Sequence, residues 1–194
     1  MRSQMENQQH IMRIVLVGAQ NTGKTTVARP IAETNGLDLV SGLSRRSPYA
    51  KTSLNKKSSA INQIYLIGAI AAHTMASPNM ISDRSPLDSL AYTLYTQLED
   101  EFYPPGEIEL VYDDYVWLRS FCERVMQNYD HIIYFPAYDW PIESDGGVRD
   151  LDTKYRQDID YIMKELLDHA NVPYKIMPDI AATERIELVQ KWLG

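Results

Sequence analysis

The sequence predicts an α/β fold in which a five-stranded parallel sheet carries helices on both faces. Five short runs rich in β-branched and aromatic residues alternate with longer segments that have helical hydrophobic spacing. A glycine-rich loop separates the first such run from the first helix. The chain has 194 residues, of which 44% are hydrophobic and 23% charged, as in a single compact domain. Strands that alternate with helices give a parallel sheet covered on both sides.

The first strand is expected at residues 13–18 (RIVLVG), a β-branched run that ends in glycine. A helix over 25–35 follows and ends at an Asn-Gly pair, which is a helix C-terminal signal. Residues 37–40 form a second short strand. Residues 55–75 place apolar side chains at the spacing of one helical face, which predicts a long helix.

The middle of the chain continues the alternation with a third strand at residues 79–82. A helix then opens at Ser85-Pro86, because serine favours the N-cap and proline the first helical position. The sequence Tyr103-Pro104-Pro105-Gly106 interrupts the chain. Residues 113–128 are predicted to be a helix and residues 131–135 (HIIYF) a fourth strand.

The last third begins with an irregular stretch over residues 136–152 that is rich in Gly, Asp and Pro. A regular apolar stripe predicts a helix over 158–170. Residues 174–177 form the fifth strand, and residues 183–193 form a closing amphipathic helix. Residues 1–12 are expected to be a flexible tail and residues 13–194 a single domain.

Composition excludes several classes of protein. The single cysteine, Cys122, rules out a disulfide framework and a multi-cysteine zinc site, and indicates a reducing, cytoplasmic setting. No apolar run reaches the roughly 18–20 residues that span a bilayer, and the polar start does not resemble a secretory signal. A net charge of −7 argues against nucleic acid as a partner.

The charges are distributed unevenly along the chain. Residues 39–82 contain no Asp or Glu but do contain Arg45 and Arg46, whereas residues 85–118 contain eight acids and no Lys or Arg. An acidic protein that keeps one basic segment is a candidate for a local anion site, with a solvated basic surface as the alternative.

Residues 18–25 match the phosphate-binding pattern G-x-x-x-x-G-K-[ST] at every position. Its glycines let the backbone pass close to a phosphate, and the following helix directs its positive N-terminal end at the same anion. We expect Lys24 to contact the β- and γ-phosphates of a nucleotide and the Thr25 hydroxyl to coordinate Mg²⁺. The predicted nucleotide-binding residues of this phosphate loop and its helix are Gly18, Gln20, Asn21, Thr22, Gly23, Lys24, Thr25 and Thr26.

An acid on a neighbouring strand usually completes the metal site beside such a loop. Asp83 is the candidate, because it ends the third strand and the carboxyl ends of parallel strands meet at one edge of a sheet. Asp83-Arg84-Ser85 resembles the Asp-Arg or Glu-Arg-Ser signature of thymidylate and deoxynucleoside kinases. The longer stretch 83–92 (DRSPLDSLAY) is similar to the ribosylnicotinamide kinase domain of bacterial NAD regulators. The resemblance implies that Asp83 binds metal or activates the acceptor hydroxyl, and that Arg84 holds the acceptor or a phosphate.

The same kinase group is similar where Trp140 and Pro141 precede an Asp-Gly-x-Arg sequence. Here the motif has one extra glycine and reads DGGVR, ending at Arg149. The resemblance implies a nucleotide-kinase-like fold with a lid at about residues 137–156. In such a lid Arg149 would act in catalysis and Arg156 would contact the nucleotide. Trp140 is a candidate for stacking on an acceptor ring, or for anchoring the loop in the core.

These observations favour a kinase that moves the γ-phosphoryl group of ATP, with Mg²⁺, to a small-molecule acceptor. Arg45 and Arg46 favour an acceptor that already carries phosphate, such as a (deoxy)nucleoside monophosphate. A nucleoside acceptor, either nicotinamide-riboside-like or a deoxynucleoside, is the alternative, followed by a modified base in DNA and by an ATPase that is not a kinase. A switch GTPase is disfavoured, because residues 55–58 (NKKS) lack the acid of the guanine-binding Asn-Lys-x-Asp motif. A homodimer is left open.

Overall fold

A computed structural model describes residues 11–49, 59–98, 110–139 and 152–194. Within these ranges the chain alternates between five strands and seven helices. The strands are β1 (Met12–Val17), β2 (Asp38–Val40), β3 (Asn79–Ser82), β4 (His131–Tyr134) and β5 (Lys175–Ile176). The helices are α1 (Lys24–Asn35), α2 (Leu43–Arg46), α3 (Ala60–Ala76), α4 (Pro86–Leu98), α5 (Tyr112–Met126), α6 (Thr153–His169) and α7 (Ala182–Leu193).

The strands form one parallel sheet in the order β2-β3-β1-β4-β5. β1 lies at the centre, with Val15 beside Ser82 of β3 and Val17 beside Tyr134 of β4. From β1 the chain goes to the edge strand β2, returns inward to β3, and then crosses β1 to β4 and β5, so the direction of the connections reverses at β1. In open parallel sheets ligands collect at the carboxyl ends of the strands at such a reversal, and the phosphate loop leaves β1 at this point.

The two faces of the sheet carry separate hydrophobic cores, because successive side chains of a strand point to opposite faces. Val15 and Val17 pack with α3, α4, α5 and α6, whereas Ile14 and Leu16 pack with α1 and α7. All four of these β1 side chains are fully buried. The predicted α/β fold, a five-stranded parallel sheet with helices on both faces, is therefore confirmed.

Several element boundaries differ from the sequence prediction. β1 begins at Met12, which pairs with Asn79, one residue earlier than the predicted strand. The short helix α2 was not predicted. α6 begins at Thr153 rather than at residue 158, because the Asp152 side chain accepts a hydrogen bond from the backbone N–H of Tyr155 and so caps the helix. Of the predicted lid at 137–156, residues 153–156 are therefore helical.

None of the helices in the described ranges is long and apolar enough to cross a membrane.

Candidate active site

The phosphate loop connects the central strand β1 to α1 and closes back over the start of the helix. Gly23 caps α1 with a left-handed backbone (φ 86°), and Asn21 is also left-handed (φ 61°). The Thr22 hydroxyl donates to the carbonyl of Ala19 at 3.0 Å, which holds the turn together. The first helical residue is Lys24, so its side chain and the open N-terminus of α1 face the same space.

The Lys24 ammonium lies inside the phosphate loop. It donates to the carbonyl oxygens of Gly18 and Ala19, each at 2.6 Å, and to the Thr22 hydroxyl at 3.2 Å. Burial lowers the pKa of Lys24, and the nearby negative charge of Asp88 opposes that shift. The carbonyl oxygens are neutral acceptors, whereas the oxygens of a bound phosphate are charged. The Lys24 ammonium would therefore make stronger hydrogen bonds to a phosphate than to these carbonyls.

Thr25, Asp83 and Ser41 meet at the carboxyl edge of the sheet. The Thr25 hydroxyl donates to Asp83 Oδ2 at 2.5 Å, and the Ser41 hydroxyl donates to the same oxygen at 2.8 Å. The backbone N–H of Asp83 donates to the carbonyl of Val40 at 3.1 Å, which holds the ends of β2 and β3 together. The predicted pair Thr25 and Asp83 is thus in contact, whereas Ser41 was missed.

This donor set fits Mg²⁺. Mg²⁺ is usually bound in proteins by one or two oxygen side chains, while phosphate oxygens and water supply the remaining ligands. A hydroxyl and a carboxylate in contact are such a pair. No group of three or more His, Cys, Asp or Glu that could hold a metal by itself occurs among the described residues.

Asp88 is a buried carboxylate beneath the phosphate loop that sequence reasoning treated only as part of a helix start. Its Oδ1 accepts from the backbone N–H of Gly18 at 3.2 Å, and its Oδ2 accepts from the backbone N–H of Ser85 at 2.8 Å and from the Ser85 hydroxyl. Burial raises the pKa of Asp88, while the charges of Lys24 and Arg84 oppose the shift. Asp88 therefore ties the first residue of the loop to the start of α4.

Tyr92, one turn further along α4, also supports the loop. Its hydroxyl accepts from the backbone N–H of Gln20 at 3.2 Å and donates to Gln20 Oε1 at 2.5 Å. Burial raises the pKa of Tyr92 to about 12, so the hydroxyl stays protonated and can keep donating. The Arg84 guanidinium lies 5.2 Å from the centre of the Tyr92 ring, which is a cation–π distance. This contact places the predicted arginine beside the tyrosine that supports the loop.

Arg185 of α7 supports the loop from the other side of the sheet. Its Nη1 donates to the carbonyl of Thr22 at 3.0 Å, and its Nε donates to the carbonyl of Ile180 at 2.9 Å. A Cβ on Gly23 would lie 3.2 Å from Arg185 Nη1, which leaves little room for any side chain there. Arg185 is almost fully buried, and an isolated arginine in a predicted amphipathic helix gave no sequence signal for this contact.

Asp160 of α6 is a second, partly buried carboxylate near the loop. It is hydrogen-bonded to the Tyr134 hydroxyl and to the backbone of Ala137, and burial raises its pKa. The opposing charges include those of Lys24 and Arg156. Asp160 thus connects α6 to the end of β4 and adds negative charge on the Lys24 side of the site.

The predicted arginines of the lid and of the acceptor side have different outcomes. Arg156 lies in the first turn of α6, 1% exposed, and its Nη2 donates to the carbonyl of Tyr138 at 2.9 Å. Arg156 was expected in the lid loop, and this position is wrong. It lies in α6 instead, because the cap at Asp152 makes the helix begin at Thr153. Arg149 and Trp140 lie outside the described residues.

On the acceptor side, Arg45 and Arg46 are exposed on α2, and Arg46 donates to the carbonyl of Ser41. They therefore lie on the chain segment that also brings Ser41 to Asp83. Thr26, in the first turn of α1, is exposed as well. The predicted anion site at the end of β2 thus adjoins the Thr25–Asp83 pair.

An open pocket of about 550 Å³ lies at the start of α7, lined by residues 179–182 and Glu184. Arg185 follows directly and contacts Thr22, so this pocket adjoins the phosphate loop.

A family model described as AAA domain matches residues 13–185 of the chain. The chain belongs to the AAA domain family. The matched range runs from β1 through the phosphate loop to Arg185, so it includes the whole site of this AAA domain. None of the curated protein sequences compared matches it.

Solved structures of kinases share the fold of this AAA domain. Deoxyadenosine kinase from M. mycoides with bound dATP superposes with a TM-score of 0.65 at 19% identity, covering 94% of this chain and 98% of that one. The NadR protein in complex with NR gives 0.65 at 16% identity, with 94% and 52% covered. Thymidylate kinase from Candida albicans gives 0.56 at 13% identity, with 94% and 90% covered. The predicted likeness to nucleoside and nucleotide kinases is thus confirmed for the fold.

Proposed function

We propose that the protein is a phosphotransferase that moves the γ-phosphoryl group of ATP to a (deoxy)nucleoside monophosphate. The observation that carries the proposal is the contact between Thr25 and Asp83 beside the Lys24 ammonium. Phosphoryl transfer needs little covalent chemistry from a protein but requires positioning and compensation of negative charge. A lysine within a phosphate loop, a metal-binding pair and an adjacent arginine supply both.

The side chains would divide the work as follows. Lys24 and the backbone N–H groups of the phosphate loop bind the β- and γ-phosphates. Thr25 and Asp83 hold Mg²⁺, which when bound neutralises phosphate charge. Arg84, beside Tyr92, binds the acceptor or the transferred group. The open pocket at residues 179–184 receives the base of the nucleotide, since it adjoins the loop through Arg185. Arg149 and Trp140 keep their proposed roles as the catalytic lid arginine and the acceptor-stacking ring.

A phosphate on the acceptor is supported by α2. Arg45 and Arg46 are exposed within the acid-free segment 39–82, next to Ser41 and Asp83. A guanidinium binds a phosphate through two parallel hydrogen bonds, which contribute about 1.5–3 kcal/mol when charge-assisted. A neutral acceptor would gain nothing from this arrangement.

A nucleoside acceptor is the second candidate, and the shared fold supports it. Two of the similar structures are, by name, a deoxyadenosine kinase and a NadR protein in complex with NR, whereas a third is a thymidylate kinase. A modified base in DNA is disfavoured by the net charge of −7. An ATPase that is not a kinase would turn over ATP without any small acceptor.

The test is ATP consumption measured with each of a panel of nucleosides and nucleoside monophosphates, with and without Mg²⁺. We expect turnover that requires both Mg²⁺ and one monophosphate. Turnover with a nucleoside alone would select the second candidate, and equal turnover without any acceptor would contradict a kinase.

Arg45→Ala then tests the acceptor phosphate directly. Its acceptor KM should rise about 10-fold while the ATP KM stays unchanged, because one charge-assisted contact is lost. Arg46→Ala also removes the hydrogen bond to the Ser41 carbonyl, so the Tm of each variant is measured beside its kinetics. In a third variant both arginines are replaced by alanine. If its acceptor KM were unchanged, the acceptor would carry no phosphate.

We also propose a cytoplasmic location. The only cysteine, Cys122, is buried, and burial raises the pKa of its thiol to about 12, so it is held as an unreactive thiol.

A further inference from the structure

The Asp83 carboxylate is held by hydroxyl groups from two separate elements. Thr25 reaches it from the first turn of α1, and Ser41 reaches it from the turn that follows β2. Both hydroxyls donate to the same oxygen, Oδ2, at 2.5 and 2.8 Å. No described residue donates to the other oxygen, Oδ1. The contact with Thr25 belongs to the metal-binding pair of the site, whereas the contact with Ser41 is additional to that pair.

Two donors on one oxygen fix the direction in which the carboxylate points. The terminal torsion of an aspartate is broad, so rotamer preference by itself leaves the plane of the carboxylate free to turn. With one hydrogen bond the carboxylate could still pivot about that oxygen. Donors from α1 and from the turn after β2 use both lone pairs of Oδ2, so a rotation of the carboxylate would break both bonds. Oδ1 is therefore the oxygen that remains for a ligand.

The backbone around this contact is fixed as well. The N–H of Asp83 donates to the carbonyl of Val40, the last residue of β2, at 3.1 Å. Gly42 then turns the chain with a left-handed backbone (φ 67°). Arg46 donates from Nη2 to the Ser41 carbonyl, which joins the first residue after β2 to the last residue of α2. The Ser41 hydroxyl is therefore presented to the carboxylate by a turn that is anchored at both ends.

The choice of serine at this place has a physical reason. Serine hydroxyls commonly bond to backbone groups nearby, but the Ser41 hydroxyl reaches a side chain 42 positions further along the chain. Residues 39–82 contain no Asp or Glu, so the turn after β2 and the helix α3 bring no second carboxylate to this edge of the sheet. An acid at position 41 would repel both Asp83 and an anionic acceptor. A hydroxyl orients the carboxylate without adding charge.

We propose that Ser41 is a positioning residue, which holds the Asp83 carboxylate in the orientation that binds Mg²⁺ and so supports phosphoryl transfer. The proposal rests on the proposed function, in which Thr25 and Asp83 hold Mg²⁺. Arg46 contributes by fixing the Ser41 carbonyl. Because the Ser41 hydroxyl acts only through Asp83, its removal should weaken Mg²⁺-dependent binding of the nucleotide and leave the binding of the acceptor unaffected.

Calorimetry with a non-hydrolysable ATP analogue tests this role without any acceptor. Ser41→Ala should weaken binding in the presence of Mg²⁺ about 5–10-fold, because one hydrogen bond to a charged, partly exposed group is lost. With EDTA in place of Mg²⁺, the binding of Ser41→Ala and of the unmodified protein should be equal. Ser41→Thr keeps the hydroxyl and should bind like the unmodified protein. Ser44→Ala is the matched control, because Ser44 is also partly buried in this segment but does not bond to Asp83.

A double-mutant comparison separates positioning from a structural role. In an Asp83→Ala background, Ser41→Ala should change Mg²⁺-dependent binding by less than about twofold, because no carboxylate is left to orient. If the added methyl group of Ser41→Thr lowers Tm, this comparison decides. In the acceptor panel, Ser41→Ala should lower kcat about 10-fold at an unchanged acceptor KM.

Three results would overturn the proposal. They are unchanged Mg²⁺-dependent binding by Ser41→Ala, an equal loss of binding with EDTA, and an equal loss in the Asp83→Ala background. Because nucleotide binding needs no acceptor, this test is separate from that of the proposed function. A lack of turnover with every acceptor would contradict the kinase, whereas the binding results would still decide the role of Ser41.

Discussion

Gly18→Ala tests how tightly the phosphate loop is fitted to the sheet. Gly18 follows β1, and its neighbour across the sheet is Phe135, the residue after β4. A Cβ at position 18 would lie 2.3 Å from the carbonyl oxygen of Phe135 and 3.2 Å from its Cβ. Because real Cβ atoms keep at least 3.0 Å from such atoms, the two segments would have to separate by about 0.7 Å.

Two hydrogen bonds oppose that separation. The backbone N–H of Phe135 donates to the carbonyl of Val17 at 2.8 Å, and the N–H of Gly18 donates to Asp88 at 3.2 Å. Loss of one such bond costs about 1 kcal/mol for the neutral acceptor or 1.5–3 kcal/mol for the carboxylate. Overpacking adds roughly 1–3 kcal/mol. The free energy of unfolding should therefore fall by about 2–6 kcal/mol.

Thermal and urea denaturation of Gly18→Ala measure this loss. A decrease of about 2–6 kcal/mol corresponds to a Tm lower by roughly 4–24 °C in a chain of this length. Gly36→Ala is the matched control, because Gly36 also has a positive φ (63°, against 151° at Gly18) but no atom of the described residues lies within 4 Å of its Cβ position. Its free energy of unfolding should fall by only about 1–2 kcal/mol, which is the cost of the strained left-handed backbone. If Gly18→Ala melted no lower than Gly36→Ala, the proposed fit between loop and sheet would be incorrect.

Three further predictions concern the charged groups of the site. Lys24→Ala should lose at least about 100-fold in kcat, since it removes charge that stabilises the transferred group. Circular dichroism should show an unchanged fold, and wild-type turnover would refute the phosphate-loop assignment. Asp83→Asn should also lose about 100-fold or more, and turnover within threefold of wild type across a Mg²⁺ titration would make Asp83 structural. Asp88→Asn should lower Tm most at low pH. Wild-type protein loses stability as pH rises through the raised pKa of Asp88, so the Tm difference should narrow with pH, and a widening difference would contradict the assignment.

The sequence predicted the fold well because its strong signals are local. The β-branched run before the phosphate loop, the Asn-Gly after α1 and the Ser85-Pro86 helix start each act within one or two turns of chain. The start of α6 was predicted too late because that prediction also depended on a local signal. Asp152 caps that helix, but its apolar stripe is clear only from Ile159 onward, so periodicity placed the start too late.

The candidate site was predictable where a motif or the end of a strand marks its residues. The phosphate loop and Asp83 follow from sequence spacing and from the rule that parallel strands end at one edge. Ser41, Tyr92 and Arg185 reach the site from separate elements, and their contacts depend on packing across the sheet. Asp88 had a sufficient local explanation as a helix-capping acid, which concealed its hydrogen bond to Gly18.

These distant contacts determine how the phosphate loop can bind. Asp88, Tyr92 and Arg185 each fix a different backbone group of the loop, at Gly18, Gln20 and Thr22. A loop that is ordered before its ligand arrives does not lose conformational entropy on binding, so more of the contact energy contributes to affinity. The supporting groups come from both faces of the sheet, through α4 and α7. A change in packing at either helix should therefore weaken phosphate binding even where it leaves Lys24 and Thr25 untouched.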